Sequence, residues 1–332
     1  ACSVFVANKL KELGAQETRF PQEEIGDLFL LEFPARRTED AAGRTLILTH
    51  TDTVWPQGTL ERLPWSIKDD RASGPGTLDM KAGLVMIIAA MQALDEEKLL
   101  PRLPVAVFLN SYEEVGNAET DRRIRDEAKK SGRVLCLEPA LPDGRMKLRR
   151  KGRLVVRLEV SGRAAHAGDP QRGISAIDEL ISQLKAIRRL RSQSLTINTG
   201  LIRGGQAAYV VAEQASALLD IRFWTPIQER RIREYIQDSA PIEPGAIIRW
   251  AMERETAPMV HTPASARLLS RIRRIALPLG MELPSGKTGG GSDASIASQL
   301  GIPTIDGLGP AGGGIHSENE FVLLTSLIER TA

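Results

Sequence analysis

The period of the apolar residues changes along this chain, and the changes divide it. Residues 3–13 repeat apolar positions at helical spacing. Residues 46–49, 105–109 and 134–137 are short unbroken apolar runs, the mark of strands covered on both faces. Between them, residues 81–94 (KAGLVMIIAAMQAL) are apolar on nearly every side and predict a buried helix, while residues 117–130 predict a charged surface helix. Strands alternating with helices predict a largely parallel sheet flanked by helices, an α/β unit.

Near residue 147 the period becomes two. RLVVRLEVSG alternates as a half-buried strand, and it is followed by a helix (174–190), two β-like stretches (195–202 and 215–224), a helix (228–239) and a strand (247–252). This βαββαβ order fits a small two-layer α+β, ferredoxin-like domain. From about residue 255 the chain returns to a helix (265–277), a Gly-rich turn, a strand (303–305) and a last helix. The predicted organisation is a discontinuous domain, 1–149 and 255–332, with residues 150–254 inserted.

Composition narrows the function classes. A length of 332 residues suits two domains, and 42% apolar residues can fill sizeable cores. Lys plus Arg (44) nearly balances Asp plus Glu (42), and aromatics are 4%, so nucleic acid and membrane are not expected as partners. Two cysteines, Cys2 and Cys136, give no disulfide framework, and Cys136 lies in an apolar run as a small buried hydrophobe. No apolar run approaches 18 residues, so no spanning helix is expected. The expectation is a soluble protein, cytoplasmic or periplasmic. The chain opens at Ala1 and not at Met, which leaves a removed leader open.

Candidate chemistry sits where these strands end. His50-Thr51-Asp52, Glu113-Glu114 and Glu138-Pro139 lie on or just beyond apolar runs, Asp79-Met80-Lys81 precedes the apolar helix, and His316 follows a glycine run. Ligands of open α/β sheets bind beyond the carboxyl ends of the strands. Taken singly, each group reads as a surface pair, a cap or solvated charge. Taken together, they are charges placed where an unpaired charge is costly. Imidazole and carboxylate suit zinc and related divalent ions. A site for two ions, with one Asp bridging, needs two His and three carboxylates, and His50, His316, Asp79, Glu114 and Glu138 supply them. Glu113 is then left over as a candidate general base.

LILTHTDTV, GPGTLDMKAG, NSYEEVG, CLEPA, GRAAHAG, KTGGGSDAS and GGGIHSENE occur in one order over roughly residues 40–325. In these seven motifs the chain resembles the di-zinc metallopeptidases of the glutamate carboxypeptidase, acetylornithine deacetylase and succinyl-diaminopimelate desuccinylase type, with the nearest likeness to glutamate carboxypeptidase. The resemblance implies a metal-dependent hydrolase of the zinc-exopeptidase fold that cleaves an amide next to a free carboxylate. Its substrate would be a small peptide or an N-acyl amino acid. It implies two zinc ions, with cobalt or manganese as possible substitutes: one held by His50, Asp79 and Glu138, the other by Asp79, Glu114 and His316. Asp52 would orient His50, Glu113 would be the general base, and the Asp79–Met80 peptide would be cis. The inserted domain would be a lid through which a homodimer forms, His166 would reach the partner's site, and Arg222 would bind the substrate carboxylate. Gly289 and Gly290 would let backbone approach the substrate, and Lys287 would read an acidic side chain.

Plainer readings stand beside these: a turn histidine for His166, a strand-surface pair with Asp220 for Arg222, an exposed lysine for Lys287, and a solvated hinge for Arg149-Arg150-Lys151. His261 matches no motif and is left as a surface residue. The chain also departs from the family. GGQAAYVVAE places Tyr209 where the family has a substrate-holding Asn, and Ala212 where it has Pro. The family's additional helix before residue 3 and longer last helix are also not seen. An N-acyl-amino-acid deacylase, which also cleaves an amide next to a carboxylate, is the alternative to a carboxypeptidase, and Tyr209 is the one hint of a zinc-containing binder without turnover.

Overall fold

The computed structural model describes residues 1–23, 25–34, 43–99 and 104–332. The first third runs α1 (Cys2–Glu12), β1 (Gln16–Phe20), β2 (Leu28–Phe33), β3 (Thr45–His50), α2 (Thr59–Arg62), β4 (Ser66–Lys68), β5 (Arg71–Ser73), α3 (Ala82–Glu96), β6 (Val105–Asn110), α4 (Ala118–Lys129) and β7 (Arg133–Cys136). Next come β8 (Met146–Arg150), β9 (Gly152–Ser161), α5 (Ala176–Arg188), β10 (Thr196–Gly204), β11 (Gln214–Phe223), α6 (Pro226–Asp238) and β12 (Ile247–Thr256). The chain closes with α7 (Pro263–Ala276), β13 (Ser285–Thr288), α8 (Ala294–Gln299), β14 (Thr304–Ile305), β15 (Gly312–Gly313), β16 (Phe321–Leu323) and α9 (Leu324–Thr331).

Two compact units result. One comprises Ala1–Arg149, Met259–Thr288 and Ser292–Ala332; the other comprises Arg150–Pro258 with Gly289–Gly291.

The first unit is built on a six-stranded sheet ordered β1-β2-β6-β3-β7-β14. Pairing is parallel for β6/β3, β3/β7 and β7/β14, and antiparallel for β1/β2 and β2/β6. Successive side chains on a strand point to opposite faces. Leu46, Leu48, Phe108 and Val134 therefore pack into one core with Ile124 of α4 and Ala297 of α8, while Ile47, Val107 and Leu109 join another with Leu10 of α1 and Leu84 and Met91 of α3. Coverage on both faces explains why these strands read as continuous apolar runs. The chain passes from β3 to β6 through α3, then returns through α4 to β7 on the other side of β3. This is a topological switch, and the segments that follow the three strands leave from one end of the sheet.

Two expectations change here. The helix at 81–94 is not buried all round, since Val85 is 55% exposed. With the irregular turn Thr77–Lys81 before it, α3 makes a helical run of 20 residues, Thr77–Glu96, that contains an 18-residue window of mean hydropathy 1.4. By length and apolarity this run passes for a membrane span, against the expectation of none. Its packing on α1, β3 and α9, with the buried Asp79 in its first turn, is that of a core helix.

The second unit is an antiparallel sheet ordered β10-β11-β9-β12 with α5 and α6. That strand order and the βαββαβ succession make it ferredoxin-like. Ser175 caps α5 by accepting from Asp178 N, and Thr225 caps α6 in a capping box with Gln228. Leu180, Leu184 and Ile187 of α5, at spacings of four and three, pack on Leu154, Val156 and Leu219 of the sheet.

Candidate metal centre

Each strand of the central trio delivers its polar group by running out of core. β3 ends on His50, which is 2% exposed. β6 ends on Asn110, just before Ser111–Glu114, and β7 ends two residues before Glu138. Asp79 lies in the turn before α3, and its peptide bond to Met80 is cis. His316 follows the glycine turn before β16 and has φ of 62°.

These groups meet. His50 Nε2 is 3.1 Å from Asp79 Oδ1 and 3.3 Å from Glu138 Oε1. His316 Nε2 is 3.2 Å from Asp79 Oδ2 and 3.3 Å from Glu114 Oε2. Asp79 thus presents one oxygen to each of two imidazole–carboxylate pairs. Glu113 offers an oxygen to the His50–Glu138 side, with the three donor atoms within 4.8 Å of one another. Asp52 backs both sides: its carbonyl oxygen is 3.1 Å from His50 Nδ1, and its two carboxylate oxygens accept from Glu113 N (3.1 Å) and Glu114 N (3.0 Å).

The electrostatics of the cluster suit a positive partner. Burial, then the charge of Asp79, pushes the Glu114 carboxyl up to about 7. Burial, then Glu138, pushes the Glu113 carboxyl well above its ordinary range. The imidazole of His316 is raised to about 9, first by its bond to Asp79. For His50, burial works to lower the pKa, but Asp52, Asp79 and Glu138 outweigh it and raise it. Burial likewise works to raise Asp79, and His316 and His50 outweigh it, so this carboxyl stays below its usual range. Among the described residues, Glu114 Oε1 is buried without a hydrogen-bond partner. Converging imidazole and carboxylate donors with an orphan oxygen fit divalent cations of the zinc class. The residues present therefore suit such ions, with Asp79 able to serve two positions.

Groups that no sequence pattern marked individually stand behind this cluster. Asn110 donates to Asp293 Oδ2 (2.8 Å) and accepts from Tyr112 N (2.9 Å), tying the Glu113 loop to the TGGGSD segment. Burial pushes Asp293 up to about 7. Lys147, 5% exposed, has its Nζ 3.9 Å from Glu138 Oε2. Glu320 is 2% exposed. The only sequence signal for Asp293 and Glu320 was their position inside motifs already singled out.

The remaining site candidates lie mostly in the second unit. His166 is exposed; its Nδ1 accepts from Gly168 N (3.0 Å), which leaves Nε2 as the outward nitrogen. The neighbouring Ala167 N donates to Tyr209 O (2.9 Å), so the His166 and Tyr209 segments are joined, and Tyr209 is 68% exposed. Arg222 is paired with Asp220 at 2.9 Å and also donates to Gly289 O at 2.8 Å. Arg150 is not a solvated hinge residue: it is 2% exposed and donates to Gly290 O and Gly291 O. The carbonyls of the glycine turn satisfy part of that buried guanidinium. Lys287 on β13, in the first unit, and His261 are exposed.

The model of peptidase family M20/M25/M40 matches residues 46–332. Carboxypeptidase G2 of Pseudomonas sp. (strain RS-16) is 26% identical over 99% of this chain and 81% of its own length. Succinyl-diaminopimelate desuccinylase of Granulibacter bethesdensis is 28% identical over 96% of this chain and 88% of its own. Among solved structures, aminopeptidase PepT from Bacillus cereus aligns with a TM-score of 0.76 at 21% identity, covering 99% of this chain and 89% of that one.

Proposed function

Because the chain belongs to peptidase family M20/M25/M40, a family of metal-dependent hydrolases, we propose that it cleaves an amide bond next to a free carboxylate, as a glutamate-carboxypeptidase-like exopeptidase. The observation that carries this reading is Asp79, whose two oxygens stand 3.1 and 3.2 Å from different imidazoles. In this reading His50, Asp79 and Glu138 hold one zinc, and Asp79, Glu114 and His316 hold the other. Ions held there would supply Lewis acidity and lower the pKa of water. Glu113 is placed to accept a proton from the attacking water and pass it to the leaving nitrogen, a transfer worth about 10²–10⁴-fold in rate. Asp52 keeps His50 in one tautomer and holds the amides of Glu113 and Glu114 in place.

Arg222 binds the substrate carboxylate. Three of its N–H groups are engaged by Asp220 and Gly289, and a guanidinium has five, so two remain for a ligand. The chain acts as a homodimer in which His166 of each subunit donates from Nε2 to the carbonyl bound by the other. Lys287 reads an acidic substrate side chain, Gly289 and Gly290 let backbone approach the substrate, and Tyr209 stands in for the family's substrate-holding Asn.

A substrate panel tests the reading. Peptidyl and aroyl glutamates are to be hydrolysed faster than N-acetyl and N-succinyl amino acids, and chelation is to abolish turnover until zinc, cobalt or manganese is restored. The reverse preference would make the chain a deacylase, the reading favoured by its likeness to the desuccinylase. Full metal content with no turnover of either class would leave a binding protein. Glu113→Ala is expected to keep its metal and fold while turnover falls by about 10²–10⁴-fold.

A further inference from the structure

Glu320 is 2% exposed, and the proposed chemistry does not use it. A carboxylate is costly to bury unless its oxygens are occupied. Both are. Oε1 accepts from Leu78 N (2.9 Å) and Asp79 N (3.0 Å); Oε2 accepts from Gly76 N (3.0 Å) and the Trp55 indole (3.3 Å). Three of the four donors are amides of the bend that ends on Asp79. Glu320 also stands four residues after His316, and its own N–H is fixed by donating to Ser317 O (3.1 Å).

From this geometry we propose that Glu320 is the positioning residue of the bridging carboxylate. It holds the Gly76–Asp79 backbone so that Asp79 meets both imidazoles, and it ties that bend to the turn that carries His316. A single side chain thus sets the separation between the shared ligand and one of its partners. The proposal rests on the reading of His50, Asp79, Glu114, Glu138 and His316 as metal ligands. It adds a requirement that none of those five residues expresses.

Glu320→Gln is the discriminating variant. Each oxygen accepts from N–H groups, so a carboxamide sets its NH2 against donors in either orientation. Zinc affinity is read by competition with a chromophoric chelator on protein whose folded fraction is fixed by circular dichroism. The expected result for Glu320→Gln is a roughly 10–100-fold weaker zinc affinity. Trp55→Phe removes one donor and leaves the three backbone bonds, and is expected to stay within about twofold of wild type on the same reasoning. A merely structural Glu320 would lower the melting temperature of both variants and leave the affinity of the folded protein unchanged, and that outcome overturns the proposal. A measurement on the unaltered chain covers the case in which Glu320→Gln does not fold. In the metal-free protein, the amides of Leu78 and Asp79 are to exchange hydrogen slowly, and unprotected exchange there also overturns the proposal. If the wild type binds no zinc, or Asp79→Ala binds it equally well, the metal-site reading itself fails. Tight wild-type binding with an unaltered Glu320→Gln fails only the role given to Glu320.

Discussion

The two oxygens of Asp52 are both occupied, by the amides of Glu113 and Glu114, which constrains what can replace it. Asp52→Asn keeps the shape but has one acceptor where two are needed, so an NH2 must face a backbone N–H. The expected result is a roughly 10–100-fold loss of metal affinity with a fall in kcat; an unchanged kcat in a metal-loaded variant would remove Asp52 from the site. The titrating ligands make a second prediction at this scale. His50 is raised, His316 lies at about 9 and Glu114 at about 7, so at pH 7 the metal-free site carries protons that ions must displace. Metal uptake at pH 7 is expected to release protons, seen as a dependence of the calorimetric heat on buffer, and affinity is to rise from pH 7 to 9. The linkage to stability has the opposite sign. The raised histidines stabilise the metal-free fold below the unfolded value near 6.5, and this is lost as pH rises through the folded values, about 9 for His316. Glu114 adds a loss between its unfolded value near 4.5 and about 7. The melting temperature of the metal-free protein should therefore fall from pH 5 to 9. Legibility stops at this scale too. His50 and Asp52 are two apart and readable as a pair, but the bonds from Asp52 to Glu113 and Glu114 span 61 and 62 residues, and no local pattern encodes them.

At the scale of elements, β3, β6, β7 and the polar groups at their ends were legible because burial on both faces leaves an unbroken apolar run. β1, β2 and β4 were not foreseen; for β1 and β4 the physical reason is the same rule inverted, whereas β2 carries a buried apolar run of the same kind as β3 and was missed although the rule applies to it. Gln16–Phe20 has no fully buried residue, and Ser66–Lys68 is exposed throughout, so neither leaves a periodic trace. Close approaches are equally silent. Gly83 sits near the start of α3, where Gly→Ala ordinarily favours a helix by up to about 1 kcal/mol. Here a Cβ would stand 2.5 Å from Leu137 O and 2.9 Å from Met80 Cε. The approach joins α3 to the chain one residue before Glu138. Gly83→Ala is therefore expected to destabilise by about 1–3 kcal/mol in urea unfolding, and a gain in stability would show that the helix and Leu137 separate at little cost.

At the scale of the whole molecule, the chain leaves its first unit after Arg149, builds the ferredoxin-like unit and returns at Met259, and the short segment 289–291 groups with the second unit through the arginines that bind its carbonyls. The change of apolar period near residue 147 lies close to the start of the second unit at Arg150, while the expected end at residue 254 falls short of Pro258, and the three-residue segment 289–291 has no period to read. If His166 of one subunit serves the site of the other, then Glu113→Ala and His166→Ala, each nearly inactive alone, should complement. A mixed dimer has one site with Glu113 from one chain and His166 from its partner, and one site with neither. Random pairing makes half of all dimers mixed, so co-expressed variants should recover about a quarter of the wild-type rate. Purifying the mixed species through two different tags should raise this to about half. No recovery in a verified mixed dimer would place His166 in its own chain's site or outside the reaction, while a monomer by light scattering would remove the partner from the mechanism and leave the five-ligand cluster untouched.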